Sequence, residues 1–252
     1  MAPKKAEPTA LAEAEEAAKE AGPVVKKVSP TTQSVHEGII AAYGSHIASL
    51  TFPVWRAAIT TPSQLWLRML IIPVFAAAFT WDRSPLLAIS AAAIALAVVP
   101  LLVGFFIRIQ LSALTKKGLD NDLQPHTLAA HYSDDGHGHG SRFFYLPDPA
   151  NPEHQALGGV GVAHRKGGQA ELMYLAVRPD AEDKDALADA LLAAAITHAR
   201  KSGFAEMYIK INCAEKVLLA AVRRAGLGNE QLIVVNPWFH AFRLQLNLKK
   251  AR

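Results

Sequence analysis

The sequence predicts an α/β fold interrupted by a helical hairpin suited to lipid, on three observations. Hydrophobic residues make up 51% of the 252 positions and charged ones only 19%, below the roughly 25% of ordinary soluble domains. Leu86 to Ile107 is a run of 22 residues without a charge. At about 1.5 Å per residue it matches the roughly 30 Å hydrocarbon core of a bilayer. From Gly118 onward, strand-like and helix-like patterns alternate between glycine-rich turns.

Residues 1–22 are rich in Ala, Glu and Lys and carry no aromatic residue. That composition cannot build a core, so a disordered or transiently helical tail is expected. Glu7, Glu13, Glu15, Glu16 and Glu20 argue against a mitochondrial presequence, and no apolar signal core follows. Residues 23–64 should supply a first strand and helix of the α/β unit. Val24 to Val28 reads as a short strand. Val35 to Leu50 reads as a helix, with Ile39, Ile40, Tyr43, Ile47 and Leu50 on one face. Phe52-Pro53 should end it, because proline lacks the amide hydrogen and restricts its predecessor.

Residues 65–107 form the expected membrane hairpin, with arms at about 65–81 and 86–107. Met69 to Trp81 is an uncharged run of 13, extended to Leu65 if Arg68 snorkels toward the interface. Trp81-Asp82-Arg83-Ser84-Pro85 is the polar turn between them. Pro100 is better tolerated in a membrane helix than in a soluble one. A tilted or re-entrant hairpin and a buried hairpin in a soluble domain stay open as alternatives. Arg56 and Arg68 precede the hairpin, and Arg108, Lys116 and Lys117 follow it, while the turn holds Arg83 beside Asp82. The positive-inside rule then puts both ends of the chain in the cytosol, with the lipid bilayer as a partner.

Residues 108–252 should hold the main part of the α/β unit. Strand patterns occur at Arg142–Leu146, Leu157–His164, Glu171–Val177 and Glu206–Ile211, with a closing pair at Leu232–Val235 and Phe239–Leu246. Arg165-Lys166-Gly167-Gly168 makes a hairpin turn. Asp183 to Lys201 carries Leu187, Leu191, Ala194, Ala195 and His198 at helical spacing, stopped by Gly203. A second helix, Ala214 to Ala225, is stopped by Gly226. The only cysteine, Cys213, excludes an internal disulfide framework, and no zinc-ligand spacing occurs. Asp134 to Gly140 alternates acids, histidines and glycines and reads as a solvated loop rather than a metal site. Leu157-Gly158-Gly159-Val160-Gly161 has the look of a phosphate loop but lacks the helix that would follow one, so it reads as a strand. The net charge of +4 is not gathered into one run. Arg223-Arg224 and Lys249-Lys250 are pairs of the kind found on solvated faces, and nucleic-acid binding is not expected.

Two segments carry a resemblance. Glu171 to Leu192 and Glu206 to Leu227, with Leu172-Met173-Tyr174-Leu175-Ala176-Val177-Arg178-Pro179 and the closing Gly226-Leu227, resemble the core of the Gcn5-related N-acetyltransferase (GNAT) superfamily. The hydrophobic hairpin between the first helix and the second strand resembles that of the camello-like membrane-anchored members. The resemblance covers residues 24–246. It implies a mixed, mostly antiparallel sheet flanked by helices with an inserted transmembrane hairpin. It also implies acetyl-CoA as cosubstrate, a small amine or a protein amine as acceptor, and the endoplasmic reticulum as location. Backbone amides near Leu175, Ala176 and Val177 would hold the acetyl carbonyl and pantetheine arm, with Lys184 near the pyrophosphate.

The chain departs from the family at two places. The pyrophosphate turn is normally glycine-rich, whereas Asp180 to Ala188 contains no glycine, and four carboxylates flank Lys184. Acids in a first helical turn stabilise the helix itself and repel an arriving diphosphate. The family's proton-donating tyrosine falls on Val222, which cannot transfer a proton. Tyr174 and Glu171 are the candidate catalytic residues, with Tyr208 a further substitute, and alternation along a strand would turn Tyr174 and Glu171 to opposite faces. Cys213 has no histidine close in sequence and reads as a buried structural thiol. Two functions follow from this: a membrane-anchored N-acetyltransferase, or a catalytically inactive scaffold or binding module on the same fold.

Overall fold

The computed structural model describes residues 23–27, 33–60, 74–75, 77–78, 81, 84–132, 140–151, 155–236 and 239–248. Among them are seven strands: β1 (Lys26–Lys27), β2 (Arg142–Pro147), β3 (Ala156–Arg165), β4 (Gln169–Val177), β5 (Glu206–Asn212), β6 (Gly228–Asn236) and β7 (Phe239–Asn247). They form one sheet in the order β1-β2-β3-β4-β5-β7-β6. Every neighbouring pair is antiparallel except β4–β5. A parallel pair needs a crossover, and α5 (Lys184–Lys201) supplies it.

Strand alternation divides the core between two faces. Phe144 and Leu146 of β2 join Val160, Val162, Leu172 and Met207 under α5 and α6 (Lys216–Arg224). Phe143 and Tyr145 point the other way, against Val35 and Ile39 of α1 (Gln33–Ser49) and Leu128 and Tyr132 of α4 (Pro125–Tyr132). The result is a mixed sheet between two helical layers.

Several expected elements shift. In the short N-terminal strand Val24 and Val25 stay unpaired and Lys26–Lys27 form β1, while Val28 lies outside the described residues. Pro53 does not end helical structure: α1 stops at Ser49, and α2 (Thr51–Thr60) begins at once with Pro53 in its first turn. Proline is tolerated there because first-turn amides lack intrahelical partners. The α4 segment carries no strong apolar period and is an addition to the sequence reading.

The long apolar run forms α3 (Pro85–Lys117), a 33-residue helix that starts on Ser84 in extended conformation with Pro85 in the first turn. It passes Pro100 and Ile107, where the hairpin was expected to end, because Arg108 to Lys117 keeps good helix formers. One side is committed to protein: Val103, Ile107 and Leu111 pack on Leu50 and Val54. Gly104 lets α2 come close, since a β-carbon there would sit 3.2 Å from the Trp55 ring. Other sides show Leu86 at 77% and Leu101 at 72% exposure, with Ile89, Ile94, Phe105 and Phe106 also exposed.

Among the described residues no helix is long and apolar enough to cross a membrane. The expected inserted transmembrane hairpin is therefore not supported there. Its first arm, about 65–81, lies almost wholly outside the described residues. The second arm packs along part of its length on the domain instead of standing alone.

Candidate functional site

The site begins where β4 and β5 part. Their parallel register runs from Gln169↔Glu206 to Leu172↔Ile209 and stops, although both strands continue to Val177 and Asn212. A bulge helps open the fork. Gly161 of β3 faces Met173 of β4, but Gly159 faces Ala176, so β4 carries one residue too many. Tyr174, inside the bulge, has φ of 56°, in the left-handed region that a bulky residue seldom occupies.

The bulge changes where side chains point. Strict alternation would set Tyr174 and Glu171 on opposite faces. Instead Ala163, directly across from Glu171, belongs to the same cluster as Tyr174. The extra residue reverses the alternation between them, placing both on the α1 side.

Two cavities meet at the fork. A small one of about 110 Å³ lies among Tyr43, Tyr174, Leu175, Ile209, Lys210 and Ile211. A larger one of about 680 Å³ opens toward the strand ends and α2, with Arg56, Val177, Pro179, Lys184, Cys213 and Lys216 in its wall. His46 of α1 and Glu215, just before α6, line both. His46 Nδ1 is 3.2 Å from the Val177 carbonyl oxygen, and Nε2 is 3.2 Å from Glu215 Oε2. This part-buried dyad ties α1 to the end of β4 and to the turn that follows β5.

Tyr174 donates its hydroxyl hydrogen to the Asp122 carboxylate. Asp122 closes a π-helical turn, Gly118–Asp122, sealed by the Leu123 amide on the Gly118 carbonyl at 2.8 Å. Burial, then the Asp122 bond and charge, pushes the Tyr174 phenol far above its ordinary range. Tyr43 meets Tyr174 edge to face with ring centres 5.4 Å apart. Burial, with the charges of Glu215 and Asp122 behind it, raises its phenol to about 12.

Glu171 lies outside both cavity walls. Burial works against its ionisation, yet hydrogen bonds from Lys210 at 3.0 Å and Arg165 at 2.6 Å hold its carboxyl below the usual range. Tyr208 is covered by the Arg243 guanidinium, 4.4 Å from its ring centre. Val222 is fully enclosed in the core, and burial raises the half-buried Cys213 thiol. Leu175 reaches the small cavity, Val177 and Lys184 the large one, and Ala176 is buried and lines neither.

The acidic turn before α5 is partly neutralised. Arg178 pairs with Asp180 at 2.8 Å, and Arg224 reaches Asp185 at 2.8 Å and Asp189 at 3.1 Å. Asp183 takes a left-handed conformation, φ 50°, and its side chain makes no capping bond. The Gly158–Gly161 motif lies within β3. The Asp134–His139 alternation falls outside the described residues. Among those described, no cluster of three His, Cys, Asp or Glu could hold a metal.

His46, Glu215 and Asp122 were not singled out from the sequence. His46 carried a usable signal. It follows Ile39 and Tyr43 at helical spacing, so a polar residue stands where the apolar face should continue.

No family model and no curated protein sequence matches the chain. It is similar to several solved acetyltransferase structures. One is a spermidine N-acetyltransferase chimera from Vibrio cholerae and hSSAT, 15% identical over 45% of this chain and 70% of the other, TM-score 0.37. Another is an acetyltransferase of the GNAT family from Desulfovibrio desulfuricans, 17% identical over 55% and 82%, TM-score 0.40. A third is a GNAT superfamily phosphinothricin acetyltransferase from Sinorhizobium meliloti in complex with AcCoA, 18% identical over 44% and 62%, TM-score 0.37.

Proposed function

We propose that the chain is a membrane-associated N-acetyltransferase of the GNAT type, moving an acetyl group from acetyl-CoA to an amine. The observation that carries this reading is the fork. Registered pairing between β4 and β5 stops at Leu172↔Ile209, and the opening joins a cavity of about 680 Å³ walled by Arg56, Lys184 and Lys216. An extended, anionic thioester suits that arrangement. Its acyl end would enter the fork beside Leu175 to Val177, and its phosphates would meet the three cations. The chemistry supplied by acetyl-CoA is an activated acyl carbon, and the chain's part is to hold, orient and manage protons.

The membrane half of the proposal draws on α3. Its outward side exposes Leu86, Ile89, Ile94, Leu101 and Phe105, and Arg108, Lys116 and Lys117 follow toward its end. An apolar face followed by cations suits a bilayer with anionic headgroups, with the site on the cytosolic side.

The test is calorimetric titration of the full-length, detergent-solubilised protein with acetyl-CoA. Micromolar binding, weakened about tenfold by Lys184→Ala, is the expected result. A second reading has its own observation: the glycine-free, acidic turn before α5. If the unaltered chain binds nothing while Asp183→Arg with Asp185→Gly binds, the protein is a scaffold that kept its cleft and lost its cosubstrate.

A further inference from the structure

The dyad at the fork gives each ring nitrogen of His46 an oxygen partner. The Val177 carbonyl oxygen can only accept, so Nδ1 of His46 carries hydrogen. Nε2 then faces Glu215 Oε2 at 3.2 Å, and a hydrogen bond there needs one more proton, on nitrogen or on oxygen. A proton on that contact is shared between imidazole and carboxylate at the partition between the two cavities, since both residues line each of them.

No other group at the fork is as well placed to give a proton away: burial raises the Tyr43 phenol to about 12 and lifts the Cys213 thiol above its ordinary value. Tyr174 is tied to Asp122, Glu171 is held as a carboxylate by Lys210 and Arg165, and Val222 is enclosed. Resting on the acyl-transfer reading above, we propose that the His46–Glu215 dyad is the general acid that protonates the departing thiolate, His46 as the catalytic residue and Glu215 as its positioning partner.

The step balances. The amine nitrogen bonds to the acetyl carbon, the carbon–sulfur bond breaks, and its electron pair leaves with sulfur. Sulfur takes the dyad's proton to become the free thiol. The proton released by the nitrogen as the amide forms restores the dyad. The other charged or titratable groups facing the dyad are Arg56, Lys184, Cys213 and Lys216 from the large cavity, and Tyr43, Tyr174 and Lys210 from the small one. The four cations among them favour a thiolate leaving toward the dyad.

The experiment compares two donors on the full-length protein, with n-butylamine as acceptor. Acetyl-CoA leaves as a basic thiolate that needs a proton; p-nitrophenyl acetate leaves as a weakly basic phenolate that does not. His46→Gln should lose about 100-fold or more in kcat for transfer from acetyl-CoA and at least about tenfold less than that in transfer from p-nitrophenyl acetate. Glu215→Gln should move the alkaline limb of the acetyl-CoA pH–rate profile to lower pH, because the ring then holds its second proton less firmly. Equal losses with both donors, or an unmoved limb in Glu215→Gln, overturn the acid role alone. Failure of the unaltered chain to bind acetyl-CoA by calorimetry overturns the acyl-transfer reading and the acid role with it.

Discussion

Lys210 of β5 donates a hydrogen bond to Glu171 of β4, Nζ to Oε1 at 3.0 Å, across the two strands just where their pairing ends. Arg165 holds the other carboxylate oxygen at 2.6 Å. The contact works as a staple at the base of the fork. Glu171→Gln should cost about 1–3 kcal/mol of stability at neutral pH, the usual worth of hydrogen bonds to a buried charge. The carboxyl titrates below its unfolded value, so this stabilisation is present above the unfolded pKa and fades as pH falls through the folded one. Urea denaturation of both forms should therefore show the gap at pH 7 narrowing steadily below about pH 4.

The tyrosines reverse that sign. Burial raises the phenols of Tyr43, Tyr132, Tyr145 and Tyr174 in the folded chain. A raised folded pKa means full stabilisation below the unfolded value, about 10, and loss as pH climbs toward the folded one. Denaturation midpoints should drop above pH 10, and Tyr174→Phe should flatten the drop. A midpoint that stays level to pH 11.5 would contradict these burials.

Gly158 packs against β4 with no room for a side chain. A β-carbon there would lie 2.5 Å from the Ala176 carbonyl oxygen, a backbone atom that can move only with its strand. Gly158→Ala should destabilise by about 2–3 kcal/mol or more and weaken acetyl-CoA binding, because Ala176 and Val177 shift together. Gly228→Ala, which meets nothing within 4 Å, is the control for thermal melting and calorimetry.

The exposed side of α3 should govern partition into lipid. Leu101→Lys with Phe105→Lys places two cations on outward positions, leaving the packed side of Val103, Ile107 and Leu111 intact. Flotation with phosphatidylserine-containing vesicles should retain the unaltered protein and at least about tenfold less of the double variant. Equal flotation of both would remove α3 as the lipid contact.

Much of the sheet could be read from residues alone. Phe143 to Leu146 alternates cleanly between two cores, and the glycines at 167, 168, 203 and 226 adopt the positive φ that their turn or stop roles require. The site was less legible because it depends on register. A single extra residue in β4 decides where Tyr174 points, and no period-2 pattern reveals a bulge in advance. The acids near Lys184 suggested repulsion, but Arg178 and Arg224 compensate Asp180 and Asp185. Arg224 lies 39 positions from Asp185, a pairing that only the packing of α6 beside α5 creates. His46 and Glu215 meet across a separation of 169, which no local reading could join.

The strand order also bears on when the cleft can form. β5 is registered with β4 through four residue pairs and with β7 through seven, so the outer prong of the fork is braced mainly by a strand made after it. During synthesis β5 emerges well before β7, with α6 and β6 still to come. Until β7 arrives, the outer edge of β5 lacks its long-range partner. A ribosome-stalled chain ending before Phe239 should hence carry an unfinished cleft, and the fork is braced on both sides only once β7 has emerged.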